Sequence, residues 1–258
     1  MWLGGAFYTA AILADYFDGF AARRTGRNTE LGAHLDMEYD AAGVLFASIA
    51  LVVHGVAGIW FLMVGLARYL FVAGMLLRTR LKLENVSLLG SMSGRTTTGL
   101  QMGFMSIALW PIVPIHYLRI AGFVFSTFFF ASFLRDWFVV SKAIRVGEGL
   151  YLAVQSALSH LLPPLQLLLR AISIALFLPN AASLELPARI AAYILSMAIA
   201  AGVAGRAASL SLLLLTIFAA VTEIRAAALL EISMLLVIIL GTGPFSLFQP
   251  ERQIFEKR

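Results

Sequence analysis

The chain has 258 residues, 60% of them hydrophobic and only 13% charged, where a soluble domain carries about 25% charged residues. This excludes an ordinary soluble domain and points to an integral membrane protein. The 19 Lys and Arg against 14 Asp and Glu give a net charge of +5, which in short loops reads as topology signals and anionic-lipid contacts rather than as a nucleic-acid surface, and the absence of cysteine excludes disulfides, thiolate metal sites and cysteine nucleophiles.

Apolar runs of about 20 residues, separated by polar or Pro/Gly breaks, mark candidate transmembrane helices. In chain order they fall at 2–22, 41–57, 58–78, 98–117, 119–141, 152–178, 187–205, 207–222 and 226–243. Residues 1–14 are apolar, but no basic segment precedes them and no small-residue cleavage site follows, so they do not read as a signal peptide. The expected fold is all-α, a polytopic transmembrane bundle of about nine helices. Composition shifts near residue 146, and the domains expected are 1–145 and a C-terminal helical bundle over 146–258. Pro163 and Pro164 are expected to kink or start the first helix of that bundle, and the GTGPF stretch at 241–245 to end its last one.

The basic residues choose an orientation. With residues 23–40 in the cytoplasm, Arg23, Arg24, Arg27, Arg78, Arg80, Lys82, Arg95, Lys142, Arg145, Arg206, Arg252, Lys257 and Arg258 fall inside. Only Arg119, Arg189 and Arg225 fall outside, as the positive-inside rule requires.

Four aspartates sit where the first helices meet water. Asp15 and Asp18 are three residues apart, on one helix face with Gly19 and Ala22. Asp36 and Asp40 are four apart, again on one face. Gly26 to Leu31 supplies a break, so two helices joined by a short basic turn can present both pairs to one volume. Clustered carboxylates repel unless cations compensate, and oxygen-only ligands suit Mg²⁺ or Mn²⁺. Gly19 and Ala22 remove bulk, so a ligand can approach the backbone. Arg23 can hold a phosphate through a forked pair of hydrogen bonds.

The stretch reads D-x2-D-G-x2-A-R-x8-G-x3-D-x3-D, as Asp15, Asp18, Gly19, Ala22, Arg23, Gly32, Asp36 and Asp40. It resembles the signature of the CDP-alcohol phosphatidyltransferase family at all eight fixed positions, and the likeness covers roughly residues 1–141. The resemblance implies five core helices in this region, with residues 146–258 as an added four-helix part. It implies two divalent cations, with Asp15, Asp18, Asp36 and Asp40 around them and Asp40 as the general base. Gly19, Ala22, Gly32 and Arg23 would take the nucleotide and diphosphate of the donor. The implied reaction is attack by an alcohol hydroxyl on the phosphorus of a CDP-linked donor such as CDP-diacylglycerol, with CMP leaving, as a step of phospholipid synthesis. Arg68 and Arg78 match places where members carry basic residues against an acceptor phosphate, and Arg68 stands within an apolar run, where a charge needs a reason.

The partners expected are a CDP-diacylglycerol-type lipid donor, a small polar alcohol or phospho-alcohol acceptor, membrane lipid and a second copy in a homodimer, with no nucleic acid. The setting expected is a bacterial inner membrane, with the site on the cytoplasmic side. Members usually carry a transmembrane helix ahead of the motif helix. With the motif starting at residue 15 none fits, and the expectation is a fragment or a start that lies upstream. Other residues read more plainly. Arg135 and Asp136 suggest a local ion pair beside an interfacial Trp137. His34 and Glu38 read as solvated, and His54, His116 and His160 as loop or interface residues. Asn85-Val-Ser87 matches a glycosylation pattern but falls in a cytoplasmic segment. The rival readings are a cation transporter using the aspartates and a catalytically inactive membrane scaffold.

Overall fold

A computed structural model describes residues 1–25, 30–85, 92–144, 147–216 and 224–248. Among them it forms nine α-helices and no strand. These are α1 (Trp2–Thr25), α2 (Glu30–Val53), α3 (Leu62–Arg80), α4 (Met92–Ala108), α5 (Ile115–Val140), α6 (Gly149–Ala181), α7 (Leu186–Ala201), α8 (Gly205–Thr216) and α9 (Ile224–Leu240). A 3₁₀ turn, Ile59–Phe61, leads into α3. The chain divides into two compact units, Met1–Ile144 and Arg145–Arg258.

The chain is an integral membrane protein. Three helical segments are long and apolar enough to cross a bilayer unaided, Ile59–Arg80, Ile115–Val140 and Gly149–Ala181. Residues 186–201, 205–216 and 226–240 form apolar helices of fewer than 18 residues, short of the roughly 20 that span the hydrocarbon core. Large apolar side chains such as Trp2, Phe7, Leu70, Leu76, Leu161 and Leu168 stand exposed on the helices. Water would penalise that surface, whereas acyl chains accept it.

Several boundaries differ from those read in the sequence. The second helix is described from Glu30, so the span read at 41–57 continues N-terminally through the Asp36–Asp40 helix face read from the aspartate spacing; Glu30–Asp40 is too polar to register as a span. The fourth ends at Ala108 rather than 117. Pro111 and Pro114 follow, and Pro114 stands in extended conformation (φ −58°, ψ 140°) as the cap of α5, since proline lacks the N–H an interior helical turn needs. Pro163 and Pro164 do not start a helix: α6 begins at Gly149 and runs 33 residues through both. A break there would strand backbone polar groups among apolar neighbours. His160 accordingly lies inside α6, exposed, rather than in a loop. GTGPF does end α9, at Leu240. Most of the break expected over Gly26–Leu31, the end of the eighth predicted span at 217–222, and Arg27, Arg252, Lys257 and Arg258 lie outside the described residues.

In the first unit the helices pack through aromatic and small residues. Phe61 meets Phe104 edge-on with ring centroids 6.2 Å apart, and Phe104 stacks on Phe125 at 5.4 Å. A Cβ on Gly65 would lie 2.8 Å from the Leu45 Cα and 2.9 Å from the Ser48 Oγ, so glycine permits the close contact of α3 with α2. At one end of the unit α3 and α5 finish together. Arg78 donates to the Ser141 carbonyl at 3.2 Å, and Lys142 pairs with Glu84. The Arg135–Asp136 ion pair read from the sequence is present on α5.

The second unit buries Phe177, Ala192, Ile199, Leu212, Leu230 and Met234 in a single core. Two of its buried polar side chains, Arg170 and Gln166, are aimed at its own backbone, whereas Ser196, Ser209 and Glu231 each keep a buried polar atom without a partner. Arg170, 4% exposed, donates to the Ile199 carbonyl at 2.8 Å, to Thr242 and Phe245 at 3.1 Å, and to Ala200. One guanidinium thus closes the last turn of α7, whose carbonyls have no helical partner, and holds the 241–248 segment. One turn earlier on α6, Gln166 donates to the Leu240 carbonyl at 2.8 Å. Gly202 caps α7 in the left-handed region (φ 67°), a conformation costly for other residues.

Candidate active site

The acidic face is built from the C-terminal half of α1 and the N-terminal half of α2. Asp15 and Asp18 lie on α1 followed by Gly19; Gly32, Asp36 and Asp40 lie on α2. Ala22 and Arg23 stand near the end of α1, and their side chains lie outside the description, as does that of His34. Asp15, Asp18 and Asp36 are exposed, and Asp40 is half-buried.

What places α1 is its contact with α4. Thr9 Oγ1 and Ser106 Oγ share a hydrogen bond of 2.8 Å, and the Trp110 indole donates to Thr9 Oγ1 at 3.0 Å. Gly5 abuts Trp110. Tyr8 donates to the Met105 sulfur at 3.9 Å, and its ring lies against Gly43 of α2. These contacts anchor the apolar end of α1 and leave its acidic end against α2. There the Asp15 and Asp36 carboxyl groups come within hydrogen-bonding reach of each other, and the charges of Asp40 and Asp18 act on the same Asp15 carboxyl. Carboxylates this close share a proton or take up a cation.

The donor set is all oxygen and fits a hard divalent cation in kind. In geometry the fit is partial. Asp15 and Asp36 meet, yet among the described residues no three His, Asp or Glu converge closely enough to hold a metal ion.

Arg68 and Arg78 of α3 part company. Arg68 reaches α2: its Nη2 donates to Glu38 Oε1 at 2.7 Å, and its charge acts on Asp40. Arg78 turns away. Its Nε donates to Asn85 Oδ1 at 3.0 Å, and its Nη2 to the carbonyls of Glu84 and Ser141, so it pins the segment after α3 to the end of α5. Glu38, read as solvated in the sequence, is the carboxylate that positions Arg68.

One residue at this end went unread in the sequence. Gln101 on α4 is fully buried, and neither its Nε2 nor its Oε1 has a partner. The contacts of Trp2 with Trp110, Gly5 with Leu109 and Tyr8 with Met105 run α1 and α4 antiparallel. Gln101, one turn beyond Met105, therefore falls level with Leu13 and Ala14, just before Asp15. A lone Gln in the QMGFM stretch carries no spacing signal, and its burial emerges only from packing.

Taken together, the features define a helical integral membrane protein with a cluster of carboxylates on two packed helices. The model of the CDP-alcohol phosphatidyltransferase family matches residues 1–131, and the chain belongs to that family. That family is one of transferases of substituted phosphate groups, acts in phospholipid synthesis and generally uses divalent metals. No curated protein and no solved structure matches the chain.

Proposed function

We propose that this chain transfers a phosphatidyl group from CDP-diacylglycerol to an alcohol hydroxyl and releases CMP. The observation that carries the reading is the meeting of Asp15 and Asp36 across α1 and α2, with Asp18 and Asp40 acting on the same carboxyl, inside the stretch that the family model matches. In this reading the acceptor oxygen bonds to the phosphorus that bears the diacylglycerol. The bond from that phosphorus to the bridging oxygen breaks, and CMP departs with that oxygen. The acceptor proton passes to Asp40, because a neutral hydroxyl is a poor nucleophile and a positioned carboxylate a fitting base.

Asp15, Asp18 and Asp36, with Asp40 at the edge, are the residues that would hold two divalent cations, Mg²⁺ or Mn²⁺. Bound there, such cations supply charge neutralisation for the diphosphate and the departing CMP. Gly19, Ala22, Gly32 and Arg23 would receive the cytidine diphosphate, the small residues by admitting it and Arg23 by binding it. Arg68, beside Asp40, would face the acceptor. Basic residues gather at this end of the unit, in Arg24, Arg78, Arg80, Lys82 and Lys142, which supports a cytoplasmic site. A bacterial inner membrane and a homodimer complete the reading.

The test is CMP release from CDP-diacylglycerol by purified protein in detergent, with Mn²⁺ or Mg²⁺ and a pool of polar alcohols. Release that requires both metal and acceptor, and falls by about 10²- to 10⁴-fold in Asp40→Asn, is the expected result. Silence with every acceptor and both metals would overturn the transferase reading.

A further inference from the structure

Neither Arg68 nor Arg78 offers the acceptor side an uncommitted charge. Arg78 is engaged by Asn85 and by the carbonyls of Glu84 and Ser141. Arg68 lies next to Asp40, and Glu38 takes one arm of its guanidinium at 2.7 Å. Its Nε is buried and has no hydrogen-bond partner, so the remaining fork is not fully open to a ligand. Asp40 feels the Arg68 charge, and it belongs to the same acidic face as Asp15, Asp18 and Asp36. An acceptor phosphate seated by Asp40 would add its charge to these carboxylates while competing with Glu38 for the same guanidinium.

We propose that Glu38 is the acceptor selector of this site: by pairing with and neutralising Arg68, it makes the enzyme favour hydroxyl acceptors without phosphate over phosphorylated ones. This rests on the transferase reading above. The physical reason is competition for one cation. A charge-assisted hydrogen bond to a carboxylate is already in place, so a phosphate gains only what exceeds it. Both partners are partly exposed, at 32% for Arg68 and 57% for Glu38. Exposed pairs are weakly held, so the effect is a bias rather than an absolute bar. Like charges set against the wrong partner are how sites reject it.

The experiment has two arms. In the first, kcat/KM is compared for two acceptors that differ only by a phosphate, glycerol and glycerol 3-phosphate or inositol and inositol phosphate. The expected result is a preference for the unphosphorylated member in the wild type. Glu38→Gln shifts the ratio towards the phosphorylated member by about five- to tenfold. Glu38→Asp, which keeps the charge, shifts it less, which separates charge from disruption of α2. In the second arm, inorganic phosphate alone is titrated against thermal stability, with no turnover required. Phosphate stabilises Glu38→Gln more than the wild type, and Glu38→Gln combined with Arg68→Gln loses that gain. An unchanged acceptor ratio, or equal phosphate response in wild type and Glu38→Gln, would overturn the proposal. Absence of CMP release from every acceptor overturns the transferase reading instead and leaves the phosphate arm to decide the role of Glu38.

Discussion

Arg68 in the first unit and Arg170 in the second both stand within apolar helices, yet they are held in different ways. Arg68 is one-third exposed, bonds a carboxylate that is itself exposed, and keeps a buried Nε without a partner. Arg170 is buried and donates to four carbonyls of its own unit. The same contrast runs through some of the neighbouring polar groups. Around α1 and α2 the carboxylates face outward and crowd one another, and Gln101 is buried with both polar atoms unmet. In the second unit Gln166 and Ser173 are spent on the backbone and on Ser233, although Ser196, Ser209 and the Glu231 carboxyl each keep a buried atom unmet there too, so the contrast is one between the two arginines and their surroundings. Polar groups that satisfy each other stabilise a fold, while polar groups left unmet in one place cost stability and remain available to a ligand.

The largest effect that sharpens this comparison is expected at Arg170. Arg170→Met removes the side-chain donor to the carbonyls of Ile199, Ala200, Thr242 and Phe245, of which Ile199 keeps the Gly202 N–H. Each buried acceptor left without a donor costs about 1–3 kcal/mol, and several are affected at once. Thermal unfolding in detergent reads the loss, and hydrogen exchange locates it at the end of α7 and in 241–248. Arg68→Met removes only an exposed pair, worth about 1 kcal/mol or less. Equal losses from the two substitutions would break the comparison.

A smaller effect of opposite sign is expected at Gln101. Both of its polar atoms are buried without partners, a state that costs about 1–3 kcal/mol in desolvation. Methionine has nearly the same length and no hydrogen-bonding group, so Gln101→Met relieves that cost without opening a cavity. The melting temperature should rise by about 2–4 °C for each kcal/mol recovered in a chain of this size. A fall would mean that the amide already has partners in the membrane-embedded protein.

How much of this was legible beforehand follows from the kind of signal each residue carries. The eight motif positions could be read because their residue types and spacings are both specific, and helices rich in Leu, Ile and Phe announce themselves by length and hydropathy. The polar start of α2 is legible only from the aspartate spacing, because hydropathy registers the membrane, not the helix, and Glu30–Asp40 is helical but wet. The end of α4 was missed because an apolar run continued through Pro111 and Pro114, and the run was weighted above the missing N–H groups. Glu38 reads as solvated in the sequence, and Gln101 carries no signal there at all. Their roles depend on which side chain faces them across a helix pair, Arg68 for the first and an apolar core for the second. Long-range packing decides that, and one sequence does not print it.

The smallest effect is expected where the first unit's carboxylates have nothing buried at stake. Lys142 hydrogen-bonds the fully exposed Glu84, and that contact holds the Glu84 carboxyl below its ordinary range. A depressed carboxylate pKa contributes stability above the unfolded value of about 4.3, and the contribution is lost as pH falls through the folded value. Glu84→Gln should therefore lower the melting temperature only slightly at pH 7, and the gap from the wild type should close on acidification once both carry a neutral side chain there. Salt should shrink the same gap at pH 7, because exposed charges are screened. A gap that widens on acidification would show that Glu84 acts through its hold on the Arg78–Asn85 segment rather than through charge. That segment would then resemble the second unit, where polar groups secure backbone.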